Sequence, residues 1–141
     1  MKPVFLFRNS VELYRIYAED IVFIEASANY TIIHLVGGGK CQVSFQLGEV
    51  WETMQSQSGK GENDCAFACI GRSIIVNCDY VYHIDIRDRT KVLTLRDFNG
   101  CHYDVQRKTI EEIIKNVPQE RLKDLKEYIE KEHDEYLKTR Q

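Results

Sequence analysis

Between Val4 and Val105 the chain is cut by turn formers into runs of four to seven residues rich in Val, Ile, Tyr, Phe and Thr. Runs that short build small sheets, not long strands or coiled coils. The predicted strands are Val4–Phe7, Val11–Tyr17, Ile21–Glu25, Tyr30–Val36, Cys41–Phe45, Phe67–Ile70, Ile74–Asn77, Val81–Ile86, Lys91–Leu95 and Cys101–Val105. Gly37-Gly38-Gly39 joins two of them at hairpin distance, and Arg87–Thr90 and Arg96–Gly100 read as the turns of a three-strand meander. A length of 141 residues leaves room for one such domain plus an appendage, and 43% hydrophobic residues supply a core.

Helical periodicity interrupts the strands twice. Leu47, Val50, Trp51 and Met54 make one apolar stripe within Gln46–Gln55, and Ile110, Ile113, Ile114 and Val117 repeat that spacing around Arg107–Asn116 before Pro118 breaks it. Ser56–Asp64, rich in Ser, Gly, Gln and charge, reads as an exposed mobile loop. Beyond Pro118 the sequence changes character: residues 111–141 hold 7 basic and 9 acidic groups, against 12 and 13 in residues 1–110. Leu122, Leu125, Ile129 and Tyr136 form a narrow seam there, and Glu127–Lys131 and Asp134–Lys138 are spaced as i,i+4 ion pairs, so a charged amphipathic helix is predicted for residues 118–141. It either docks on the β domain, residues 1–117, or pairs with a second copy.

Several function classes are excluded. The glycines at 37–39 lead into a strand, so no helix N-terminus follows to hold phosphate, and neither G-x-S-x-G nor H-E-x-x-H occurs. The apolar runs Ile21–Ile24 and Ile74–Val76 are far short of the ~20 residues of a membrane span, and Pro3–Phe7 is too short for a secretory core, so the chain is expected in the cytoplasm. Five cysteines without an export signal suit reduced, buried thiols better than a disulfide framework or a zinc knuckle. His83-Ile84-Asp85 and His102-Tyr103-Asp104 put four polar side chains on one sheet face, but on outer strands with Arg96 between them, which favours a solvated face over a metal site. No cofactor and no catalytic residue are expected.

The net charge of −3 announces no polyanion partner, yet residues 86–108 carry Arg87, Arg89, Lys91, Arg96, Arg107 and Lys108 against Asp88, Asp97 and Asp104, a local +3. Three ordered stretches sharpen that signal. They are Asp20-Ile21-Val22-Phe23-Ile24-Glu25-Ala26 followed by Asn29-Tyr30-Thr31-Ile32-Ile33-His34-Leu35; then Phe67 to Asn77 containing Arg72-Ser73-Ile74-Ile75-Val76-Asn77, with Tyr80-Val81-Tyr82-His83-Ile84 after it; and Val105-Gln106-Arg107 ahead of a helix. Together they resemble the LytTR family of bacterial DNA-binding domains over residues 4–116.

The resemblance implies a mostly β fold, an elongated stack of small antiparallel sheets with short packing helices and a C-terminal helix. It implies a non-enzymatic transcriptional regulator that contacts successive major grooves of promoter direct repeats through loops, as a homodimer or pair of subunits. On that reading Asn29 and Tyr30 enter one groove, Arg72 and Ser73 approach the middle of the site, and Arg107 and Lys108 reach the other groove. Lys91, Lys108 and Ser73 suit phosphates, whereas Arg107 can donate twice to guanine O6 and N7. Glu25 is expected to orient the Asn29 loop and not to read bases. Relatives commonly carry a phosphoacceptor receiver ahead of this module. With the module starting near residue 4, the input is expected from an upstream signalling protein, a ligand, abundance or the C-terminal helix. Asp104 and Gln106 depart from the family pattern, and the acidic Asp104 opposes phosphate. The competing reading is a protein-interaction module of the same fold working through its C-terminal helix.

Overall fold

The computed structural model describes residues 3–57, 67–70, 73–87, 92–105 and 119–139, with side chains from 122 in the last stretch. The chain forms strands β1 (Val4–Arg8), β2 (Leu13–Tyr17), β3 (Ile21–Ser27), β4 (Tyr30–Leu35) and β5 (Lys40–Val43), then helix α1 (Leu47–Gln57). Strands β6 (Phe67–Ile70), β7 (Ile74–Asn77), β8 (Val81–Asp85), β9 (Val92–Arg96) and β10 (His102–Asp104) follow, and helix α2 (Gln119–Thr139) closes the order. They make three antiparallel sheets: β1-β2, β5-β4-β3-β7-β6, and the meander β10-β9-β8.

The five-stranded sheet lies in the middle because its central strands cannot face water on either side. Ile21–Ile24 in β3 and Ile74–Val76 in β7 are unbroken apolar runs, which suit strands covered on both faces. One face carries Ile24, Ile33, Val43 and Ile75 and packs against α1 and the β1-β2 hairpin through Val50, Met54, Phe5 and Phe7. The other carries Phe23, Ile70, Ile74 and Val76 and packs against Leu93, Leu95 and Tyr103 of the meander and Leu125 of α2. A bulge between Ile21 and Phe23 lets Ile21 join the first core and Val22 the second.

All ten predicted strands form, with shifted ends that have local causes. The side chain of Asn9 accepts the N–H groups of Val11 (2.9 Å) and Glu12 (2.7 Å), a turn that leaves Val11 exposed and starts β2 at Leu13 instead. The Thr31 hydroxyl donates to the Phe45 carbonyl at 2.5 Å, turning the chain after Val43 and ending β5 early. Helix α1 runs two residues beyond its predicted end, so Ser56 is helical and not loop. There the Gln57 carboxamide accepts from the Leu6 N–H (2.8 Å) and donates to the Leu6 carbonyl (2.9 Å), standing in for a strand beside β1. Residues 58–66 and the predicted helix Arg107–Asn116 lie outside the described residues.

Helix α2 docks on the β domain through Leu125, with Leu122 and Ile129 packed beside it, and residues 130–139 are exposed along their whole length. Among its described side chains the ion pairs are Lys126 with Glu130 (2.9 Å) and Lys138 with Glu135 (3.9 Å), not the two expected from spacing. Exposed pairs differ so little in energy that side-chain rotamers decide between registers. Of the described cysteines only Cys78 is buried; Cys41, Cys69 and Cys101 are half-buried, so the expectation of buried thiols holds for one alone. Burial, with Asp79 and Glu132 nearby, pushes the Cys78 thiol up to about 12.

The central sheet and the meander are also joined by a polar knot. Asp97, 5% exposed, follows β9 and accepts the N–H groups of Gly37 (2.8 Å), Asn99 (2.9 Å) and Cys101 (2.9 Å). The Tyr103 hydroxyl accepts the Gly38 N–H (2.9 Å) and directs its proton between the Asp97 carboxylate (2.7 Å) and the Leu35 carbonyl (2.8 Å). Gly37 and Gly38 have φ of 83° and 87°, which lets the turn after β4 aim two successive N–H groups at this site.

Burial alone would raise the Asp97 carboxyl. The bonds donated by Gly37, Tyr103, Cys101 and Asn99 outweigh it and hold the group at about 2. Since the folded value lies below the unfolded one, the stabilisation is complete above about pH 4 and is lost as pH falls from about 4 towards 2. Asp97→Asn is therefore expected to lower the urea midpoint at pH 7 and to flatten the acid limb of the stability curve, as followed by circular dichroism between pH 2 and 5.

Candidate nucleic-acid interface

Strands β3 and β4 pair out to Ser27 and Tyr30, so the link between them is the two-residue turn Ala28-Asn29. Ala28 has φ 53°, the only positive φ outside glycine among the described residues. A side chain there costs about 1–2 kcal/mol relative to ordinary backbone, which the two flanking strands hold in place. Asn29 thus sits at the tip of a tight two-residue hairpin turn. Tyr30 is the first residue of β4, where the predicted strand begins, and is half exposed beside the tip.

Ser73 lies next to this hairpin. Its carbonyl accepts the Ala26 N–H at 3.1 Å, and Glu25 is in register with Ile74, so the link from β6 to β7 opens at the same end of the central sheet as Asn29. Three predicted contact residues, Asn29, Tyr30 and Ser73, are therefore brought together. Arg72, Lys91, Arg107 and Lys108 lie outside the described residues. The strand ends that flank the last three meet at one end of the meander, where the Val105 N–H donates to the Leu93 carbonyl at 3.2 Å.

Beneath the hairpin, Glu25 is buried at 6% exposure and cannot reach a base edge. Its Oε1 lies 2.8 Å from His34 Nε2, and the His34 ring stacks on Phe23 at 4.0 Å between centroids and 4° between planes. Phe23 and His34 are directly opposite across the β3-β4 pair and Glu25 is two residues nearer the tip on the same face, so the contact is diagonal. It ties the two strands that carry Ala28 and Asn29. Period-two alternation from Phe23 to Glu25 would have put them on one face, but only the hairpin register shows that His34 is the partner.

The basic segment is less free than its composition suggests. Arg87 is bound to Asp85, 2.6 Å from Nη2 to Oδ2, so its charge is offset locally. Arg96 lies over the Tyr82 ring at 5.7 Å. Asp97 is turned inward, as described above, and Asp104 is exposed and accepts the Thr94 hydroxyl at 3.1 Å. His83 and Asp104 flank Thr94 across the sheet, while His102 pairs with Arg96 and Asp85 with Val92, so both H-x-D units share the meander's outer face. No group of three or more metal-ligating side chains occurs among the described residues.

A family model described as the LytTr DNA-binding domain matches residues 11–130 of this chain. Among solved structures, the LytTr DNA-binding domain of a Bacillus cereus response regulator matches at 19% identity with a TM-score of 0.47, covering 82% of this chain and 96% of that one. No curated protein sequence matches at a significant level. No described helix is long and apolar enough to cross a membrane.

Two substitutions test the hairpin. Glu25→Ala leaves His34 buried without its partner and is expected to destabilise by about 1–3 kcal/mol, with Glu25→Gln costing less, by urea denaturation. Ala28→Gly relieves the positive φ but loosens the unfolded chain, for a net gain of about 0.5–1 kcal/mol in the same measurement.

Proposed function

Because this chain belongs to the LytTr DNA-binding domain family, we propose that it is a transcriptional regulator whose hairpin tip and neighbouring strand links read promoter DNA. The match over residues 11–130 carries the reading. The placement of Asn29, Tyr30 and Ser73 at one end of the central sheet supports it. No recognition helix is needed, since a two-residue tip on a stiff hairpin is narrow enough for a major groove.

Each contact has a chemical role in this proposal. Asn29 pairs with an adenine edge or a phosphate, and Arg107 reads guanine through two parallel hydrogen bonds. Arg72 and Ser73 approach the centre of the site. Lys91, Lys108 and Ser73 bind phosphates and fix register. Asp104, exposed on the meander, weakens phosphate approach and so favours sites where base contacts add affinity. The module over residues 1–117 acts in the cytoplasm as one of two subunits on direct repeats, and the helix over 118–141 passes on a signal from another protein.

The exposed outer half of α2, bearing Tyr136 and Leu137, favours a second reading in which that helix binds a partner and the domain does not engage DNA. Selection from random-sequence DNA at low salt separates the two. Enrichment of a repeated motif supports the regulator, and no enrichment supports the interaction module. On the selected site, Arg107→Ala is expected to cost about 1–3 kcal/mol and relax base preference, measured by fluorescence anisotropy. In the same assay, Lys91→Ala should weaken all sequences alike and reduce the salt slope by about one.

A further inference from the structure

Beside the hairpin, on the face of the central sheet that α1 covers, lies a half-open cavity of about 690 Å³. It is within the size range of small-molecule sites. Ala28, Asn29 and Tyr30 form one lip, and the first two turns of α1 form the other with Glu49, Trp51 and Glu52. Its apolar lining comes from the buried Leu47 of α1 and from Ala26 and Cys69 of the sheet. Among the described lining residues there are two carboxylates and no cationic side chain.

That combination selects ligand chemistry. Tyr30 and Trp51 both line the cavity, and the faces of Trp and Tyr attract cations. Two carboxylates on successive turns of α1 compensate a positive charge and repel an anion. The same carboxylates make the cavity a poor seat for DNA phosphate, although Asn29 and Tyr30 on its lip also belong to the surface assigned above to nucleic acid.

We propose that this cavity binds a small aromatic organic cation, its ammonium or amidinium group at Glu49 and Glu52 and its ring between Tyr30 and Trp51. Because Asn29 and Tyr30 belong both to the lip and to the proposed DNA contact, occupancy fixes or displaces the hairpin tip and changes DNA affinity. That coupling rests on the DNA-binding reading, whereas the binding itself does not.

Trp51 is the sole tryptophan of the chain, so its emission reports on this cavity directly. Titration of the full chain with 2-phenylethylamine, in the absence of DNA, is expected to change Trp51 emission saturably. 2-Phenylethanol, neutral and of the same shape, should bind at least ten-fold more weakly, and phenylacetate should give no response. Glu49→Gln with Glu52→Gln replaces exposed side chains and should keep the circular dichroism spectrum while weakening the amine at least ten-fold. No emission change with the amine, equal responses to all three probes, or equal amine binding by the double variant would each overturn the proposal. With DNA added, a shift in affinity on saturation with amine supports the coupling. An unchanged affinity in a protein that does bind DNA removes the coupling alone, and absence of DNA binding bears on the earlier reading and leaves the Trp51 result intact.

Discussion

The central five-stranded sheet has two apolar faces, and every other element is placed by the need to cover one of them. Ile21–Ile24 and Ile74–Val76 permit no solvent-facing side, so α1 with the β1-β2 hairpin takes one face and the meander with α2 takes the other. Burial of side chains such as Phe5, Phe23 and Leu95 contributes about 1.5–3 kcal/mol each. This non-directional attraction assembles the layers but does not fix their relative position. Direction comes from polar contacts at the ends of the sheet: the Asp97 and Tyr103 knot at the turn after β4 joins it to the meander, while the Asn77 amide, donating to the Ile21 carbonyl at 2.9 Å, ties β7 to β3 within it. Tyr80 adds a third tie by donating its hydroxyl to the Glu19 carbonyl.

Those directional contacts explain why the proposed DNA-facing end can be spare. The two ends of β3 and β4 are unlike. At one end, two glycines, a buried aspartate and a tyrosine lock the sheet to its neighbour. At the other, the hairpin runs on to a two-residue tip supported from below by Glu25 and His34. A surface that has to meet DNA with its side chains gains from such stiffness, because little order remains to be imposed on binding.

Local patterning was legible in the sequence and long-range pairing was not. The strands were readable from runs of β-branched and aromatic residues, and α1 from its apolar stripe, because both signals are confined to a few neighbouring positions. The meander was readable from its short turns. Hidden were contacts whose partners lie tens of residues apart. Asp97 counted as one more charge in a basic segment, although it is buried against Gly37. Arg87 is a local exception: summed with the other cations of its segment it reads as free, but Asp85 two residues away neutralises it, a pairing that depends on the side chain's rotamer and not on distance along the chain. Glu25 is legible as a polar strand residue, but its partner His34 needs the register of β3 and β4. Of the family-derived contact residues, the motifs placed Asn29 and Ser73 on separate segments, and only the pairing of β3 with β7 put those segments side by side.

The carboxamide of Gln57, which fills both backbone valences of Leu6 from the end of a helix, has a consequence for how this edge meets other chains. When copies of a chain come close together, an unguarded strand edge recruits its neighbour into a continuous sheet. At that position a side chain already holds the place a foreign backbone would take. Close approach of copies then adds no backbone pairing at Leu6.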